Sequence, residues 1–280
     1  MGRFDRLGEI QRLDPEADHG LIHNLVTHYE FPWDYRVGFQ LAVMTDIVVP
    51  SISRLLQRTG QFTGHGQKRF DDTMLFEYEL KRTGLDSPHG RETVRALNKI
   101  HGRYEIPNED YRYLLASQTL GPIRWINAYG WRPLSTVEER ALILTGRRMG
   151  ELMGIKDIPP DREGFEEVLH SEQEARGGYD PANREIASAV FDVIASWMPP
   201  GLRRPVRAAL PSAVMAMLDA PLPGMIGFRS PPPWLRVAVR GALRARGHLI
   251  RLFPSRANAY TPKPRSYPHG WTVDRLGPQY

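Results

Sequence analysis

Three side chains of the 280-residue sequence have the type and spacing for chemistry: Arg69, Thr73 and His101. Arg69 and Thr73 stand four residues apart, so on a helix they share a face. A guanidinium beside a hydroxyl suits an anionic or oxygen-bearing ligand. The same pair also fits a structural role, with Arg69 paired to Asp71 or Asp72 and Thr73 bonded to its own backbone. His101 extends the apolar stripe of Val94 and Leu97 at i, i+3, i+7, and Gly102 follows it directly. An imidazole there is either a satisfied core histidine or an axial ligand to haem iron. One histidine suffices for haem, because the porphyrin supplies the other four ligands. Gly102 leaves room for a flat macrocycle.

The remaining candidates are weaker. The sequence has nine histidines and no cysteine. That removes disulfides, iron–sulfur clusters, cysteine zinc sites and thiol nucleophiles, and with them thiolate-ligated or thioether-linked haem. His19, His23 and His28 lie in a polar stretch without the HExxH pattern of a helical zinc site. His65 sits between glycines, His89 beside a proline, His170 before Ser-Glu-Gln-Glu, His248 in a basic helix and His269 near the C-terminal end. These eight read as surface or locally hydrogen-bonded groups. The acidic pairs Asp71-Asp72 and Glu166-Glu167 point about 100° apart on a helix and cannot flank one substrate. A glycine-rich phosphate loop, a GxSxG elbow, a dinucleotide fingerprint and the paired Glu-x-x-His of diiron proteins are all missing.

The elements that must position these residues are helices. Residues 1–35 read as loop with short helical pieces. Helices are expected over 41–56 with Pro50 as a kink or restart, over 67–83, and over 88–102. Another has Asn108 as its N-cap and breaks at Gly121-Pro122. Ser135 with Glu138 makes a capping box for a helix to about Met153. Further helices follow over 161–175, from the Asp180-Pro181 start to Trp197, over 203–219 and over 232–252. Residues 253–280 carry no period and read as an extended tail. The expectation is one all-α domain over residues 1–280. Net charge is +5, and arginines are spread among acidic neighbours, which does not suit nucleic acid. No signal peptide and no apolar run of roughly 20 residues is read. That predicts a soluble, cytoplasmic chain with at most peripheral membrane contact. Such contact would use the basic ridge Arg236, Arg240 and Arg244 beside Leu235, Val239 and Leu243.

The stretch Lys68-Arg-Phe-Asp-Asp-Thr73, then Arg95-Ala-Leu-Asn-Lys-Ile-His-Gly102, resembles the core of the MpaB-type and latex-clearing-protein (rubber oxygenase) family. Tyr29-Glu-Phe-Pro-Trp-Asp34, the segment Tyr111 to Trp125, Gly130-Trp-Arg-Pro-Leu-Ser135 and Gly154-Ile-Lys-Asp-Ile-Pro159 are similar to further family motifs, in order, over about residues 25–255. The resemblance implies a globin-like helical core holding haem b. His101 would be the iron ligand, with Arg69 and Thr73 near the haem. It implies an oxygenase that uses O2 on carbon–carbon double bonds of isoprenoid-like substrates. A haem or hydrophobic-ligand carrier on the same scaffold is the alternative. Two departures stand out. Asp72 occupies the place of the lysine that caps the distal face in latex-clearing proteins, and their catalytic carboxylate finds no counterpart. The membrane anchor of fungal MpaB relatives is also not read here. Oligomeric state is not legible.

Overall fold

The structure, a computed structural model, describes residues 2–278. In chain order its helices are α1 (Asp5–Ile10), α2 (Pro15–Leu25), α3 (Pro32–Asp46), α4 (Pro50–Thr59), α5 (Gln61–Gly64), α6 (Gly66–Arg82) and α7 (Pro88–His101). Then come α8 (Asn108–Tyr129), α9 (Thr136–Leu152), α10 (Arg162–Arg176), α11 (Pro181–Ser196), α12 (Pro200–Met215), α13 (Leu222–Ile226) and α14 (Pro233–Arg251). Among the described residues there is no strand, as an all-α reading requires.

Helix starts follow local chemistry. Ser135 and Glu138 form the expected capping box at α9. Asp161 accepts from the Gly164 N–H, and Asp180 accepts from the Ala182 N–H with Pro181 at the first helical position. Pro50 restarts the chain as α4 rather than kinking one long helix. Asn108 is the first residue of α8, not its cap; its side chain bonds the backbone of Lys156 instead.

Two sequence expectations are corrected. Residues 1–35 are mostly helical, with a π-helical turn over Val26–Glu30 joining α2 to the approach of α3. Their burial, not their polarity, decides this: Ile22, Val26, Phe31, His23 and His28 are all inside. And α8 does not break at Gly121-Pro122 but runs through it. The reason is its crossing with α3. A Cβ on Gly38 would lie 2.7 Å from the Pro122 Cα, and one on Gly121 would lie 2.7 Å from the Ala42 Cβ. The two backbones meet through small residues, and burial of Pro122, Ile123, Trp125 and Ile126 offsets the roughly 3 kcal/mol a mid-helix proline costs.

The Gly130–Ser135 turn is held by a buried ion cluster. Arg132 contacts both oxygens of Glu138 at 2.7 Å and Glu30 at 3.1 Å, while Trp131 donates to the Glu30 carbonyl. Burial raises the Glu30 pKa, and Arg132 opposes that shift.

After α14 the chain runs back as an extended strap. Ser255 donates to the carbonyls of Gly2 and Arg3, and the Tyr260 N–H donates to His28 O. Further on, the Ser266 N–H donates to Asp71, and Trp271 to Glu79 at 3.0 Å. Tyr267 donates to Asp72, and Lys68 reaches both Tyr267 Oη at 2.9 Å and Gly277 O at 2.7 Å. Asp71, Asp72, Glu79 and Lys68 all belong to α6, so one helix anchors the strap from Ser266 onward.

The basic ridge of α14 is also corrected. Arg236 and Arg240 turn towards Asp219, and Arg240 also donates to Ala216 O; only Arg244 is exposed. Among the described residues no single helix is long and apolar enough to cross a membrane. Helices α3 and α4 qualify only as a pair, bent by 98°.

Candidate active site

A cavity of about 290 Å³ lies between α3, α6, α7, α8 and α9, with Gly277 and Pro278 of the strap in its wall. Helix α3 gives it Tyr35, Phe39, Val43 and Asp46, spaced on one face over about 16 Å. Helix α6 gives it Arg69, Thr73, Phe76, Glu77 and Lys81. The remaining wall is largely aliphatic and aromatic, including Leu97, Leu115 and Met149.

Arg69, Thr73 and His101 all line this one cavity. His101 is the last residue of α7. Its Nδ1 is buried with no hydrogen-bond partner, and the residue lines the cavity. Burial, and then the nearby Arg69 cation, lower its pKa to about 4. The imidazole is therefore neutral at physiological pH, the form that binds metal. Tyr111 packs edge-on at 5.9 Å.

Arg69 and Thr73 are locked to each other. The guanidinium donates to Thr73 Oγ1, and Thr73 donates to the Arg69 carbonyl at 2.9 Å. The structural alternative holds for the threonine only. Among the described residues Arg69 has no carboxylate at ion-pair distance: Asp71 is taken by Gln67 and Ser266, and Asp72 by Lys68 and Tyr267. Burial lowers the Arg69 pKa, with only partial relief from Asp72. A half-buried guanidinium without a counterion keeps donors for an anionic group. Asp72, at the family's distal-lysine position, latches the strap and is not free for chemistry.

Two polar features of the cavity escaped the sequence reading. His23, read as a surface group, is buried, and its Nε2 lies 3.1 Å from Tyr35 Oη. Tyr35 donates to Glu77 at 3.0 Å, and Glu77 is paired with Lys81. Burial pushes His23 well below and Tyr35 well above their ordinary values. His28, also read as exposed, is buried and lowered to about 4 for the same reason. The second feature is Asp46. It accepts from Gln118 at 3.1 Å, its Oδ1 has no partner, and burial raises it to about 7. A single acid ending an otherwise apolar helix face left no pattern to find.

Among the described residues no cluster of three or more His, Asp or Glu side chains could hold a bare ion. One neutral histidine facing an apolar cavity, with an unpaired arginine alongside, fits a macrocycle that brings its own equatorial ligands and acidic groups.

The chain is similar to known proteins over much of its length. The family model described as "ER-bound oxygenase mpaB/B'/Rubber oxygenase, catalytic domain" matches residues 35–252. The chain is 30% identical to the ER-bound oxygenase mpaB' of Penicillium brevicompactum over 260 residues, covering 79% of this chain and 61% of that one. It is 29% identical to mpaB of the same organism over 194 residues, covering 63% of this chain and 50% of that one. It is 30% identical to mpaB of Penicillium roqueforti (strain FM164) over 157 residues, 53% of each chain. The chain thus spans between half and 61% of the length of these relatives.

Proposed function

The chain belongs to this mpaB and rubber oxygenase family and carries its catalytic domain, and on that premise we propose that it is a haem b-dependent oxygenase. It uses O2 to cleave or oxidise a carbon–carbon double bond of a hydrophobic, isoprenoid-like substrate. The observation that carries the proposal is His101: half-buried, neutral, and with a buried, bare Nδ1 in the wall of an apolar cavity.

Haem, when bound, supplies the redox chemistry with dioxygen. The rest falls to the chain. His101 holds the group by one nitrogen and stays unprotonated because burial disfavours its cation. Arg69 offers its free donors to an acidic group, and Thr73 fixes the guanidinium plane from one turn away. Phe39, Val43 and Phe76 exclude water and orient an alkene along the α3 face. The cavity sits at the lower edge of the roughly 300–1,000 Å³ of ligand pockets.

A spectrum of the purified protein tests this. A Soret band in the b-type region is expected, and it should vanish in His101→Ala. Protein that stays colourless after reconstitution with haem would sink the proposal. The engagement of Asp72 in the strap latch favours one rival, a haem or hydrophobic-ligand carrier. Turnover of an isoprenoid alkene under oxygen separates the two.

A further inference from the structure

Helix α14 pairs three of its five arginines with acids of the fold and turns a stripe of apolar groups out. Arg246 pairs with Asp34 at 2.8 Å and stacks on Trp33, while Arg236 and Arg240 gather at Asp219. Gly247 lets the helix lie directly on the end of α8, where a Cβ would meet Tyr129 O at 2.7 Å. The outer stripe then carries Trp234, Val237, Leu249 and Leu252, continued by Phe253, each between 60% and 80% exposed. These five account for half of the large hydrophobic side chains exposed on the described surface. On a turn of 3.6 residues they recur along one direction, with glycine and alanine in the middle, while Arg244 and Arg251 fall together on one flank. Neither of those arginines has a carboxylate partner among the described residues. Between Asp192 and Asp274 the chain has twelve lysines and arginines and one acid, Asp219.

We infer that the outer face of α14, with Leu252 and Phe253, docks this protein onto a membrane surface containing anionic lipid. A helix with a tryptophan at one end, leucine and phenylalanine at the other and arginines on its flank matches an interfacial helix lying in the bilayer plane. Its five arginines forbid a span. A second copy of the chain is the poorer occupant. It would bring arginine against arginine and offer no acid on this face. The inference is independent of the proposed chemistry, since no residue of the stripe lines the cavity.

Flotation of the full chain with phosphatidylcholine vesicles, with and without phosphatidylserine, tests it. The chain should rise with the phosphatidylserine vesicles, and less so in high salt. Leu249→Glu with Leu252→Glu should lose about tenfold in binding per replaced side chain. Its melting temperature should hold, because both positions are exposed. Arg244→Glu with Arg251→Glu, also at exposed positions, should abolish the phosphatidylserine preference. Three results would overturn the inference. The wild-type chain stays at the bottom of every gradient. The leucine variant floats as well as wild type. Or the chain binds no vesicles but forms a dimer, or a complex with duplex DNA, that these substitutions dissolve.

Discussion

Replacing Asp46 by asparagine should change how stability depends on pH. Asp46 is wholly buried at the C-terminal end of α3, with one oxygen on Gln118 and the other unpartnered. Its carboxyl stands at about 7 in the fold against 3.8 as the ordinary value. A raised acid takes up a proton on folding. Its contribution is therefore whole below about 3.8 and is lost as pH rises through about 7. Three pH units at 1.36 kcal/mol each give a total loss of about 4 kcal/mol. Of this, about 3 kcal/mol falls between pH 5 and 8. For a chain of this size that is a swing of roughly 5–10 °C in Tm. Asparagine keeps the shape and the acceptor for Gln118 but has no titration. Its amide adds an unpaired donor costing about 1–3 kcal/mol, independent of pH. His28 and His101 run the other way: their folded values of about 4 lie below the ordinary 6.5, so they lose stability as pH falls. Subtracting the melting curves of wild type and Asp46→Asn cancels them. The variant should gain on wild type steadily from pH 5 to 8. A difference that stays constant over that range refutes the assignment of a neutral Asp46 at the cavity.

Gly38→Ala should force α3 and α8 apart, because its Cβ would sit 2.7 Å from Pro122 and 2.9 Å from Trp125; about 1–3 kcal/mol should be lost in urea unfolding. Arg132→Met should cost about 3–5 kcal/mol by stranding Glu30 and Glu138 in the interior, seen as a large drop in Tm. Tyr267→Phe removes the strap's bond to Asp72. Limited proteolysis within residues 255–278 should speed up while the global melt barely moves.

The helices that sequence reading placed well carry their own start signals within four residues. Ser135 with Glu138, Asp161, and Asp180 with Pro181 satisfy the first N–H groups locally, so no tertiary knowledge is needed. Gly121-Pro122 misleads because its meaning is interhelical. The pair lacks bulk where α3 passes, and that fact lies some eighty residues away at Gly38. His23 and His28 look solvated in a stretch rich in polar residues, and only the fold buries them, His23 against Tyr35 of α3 and His28 against Tyr78 of α6. At the site, Arg69 and Thr73 were legible from spacing and His101 from its stripe, but whether the three share a space was not. The ridge on α14 shows the limit of periodicity. A period gives two faces and does not say which one meets solvent, and here Asp34 and Asp219 draw the arginines inward.

The latch at Asp72 separates how strongly the cavity holds a molecule from how quickly it exchanges one. For a guest that enters past the strap, the bonds of Tyr267 and Lys68 break on passage and form again behind it. An interaction that is lost and regained adds to the barrier in both directions and cancels from the equilibrium constant. Lys68 and Tyr267 therefore act as a timer. Weakening them should hasten arrival and departure alike and leave occupancy at rest unchanged.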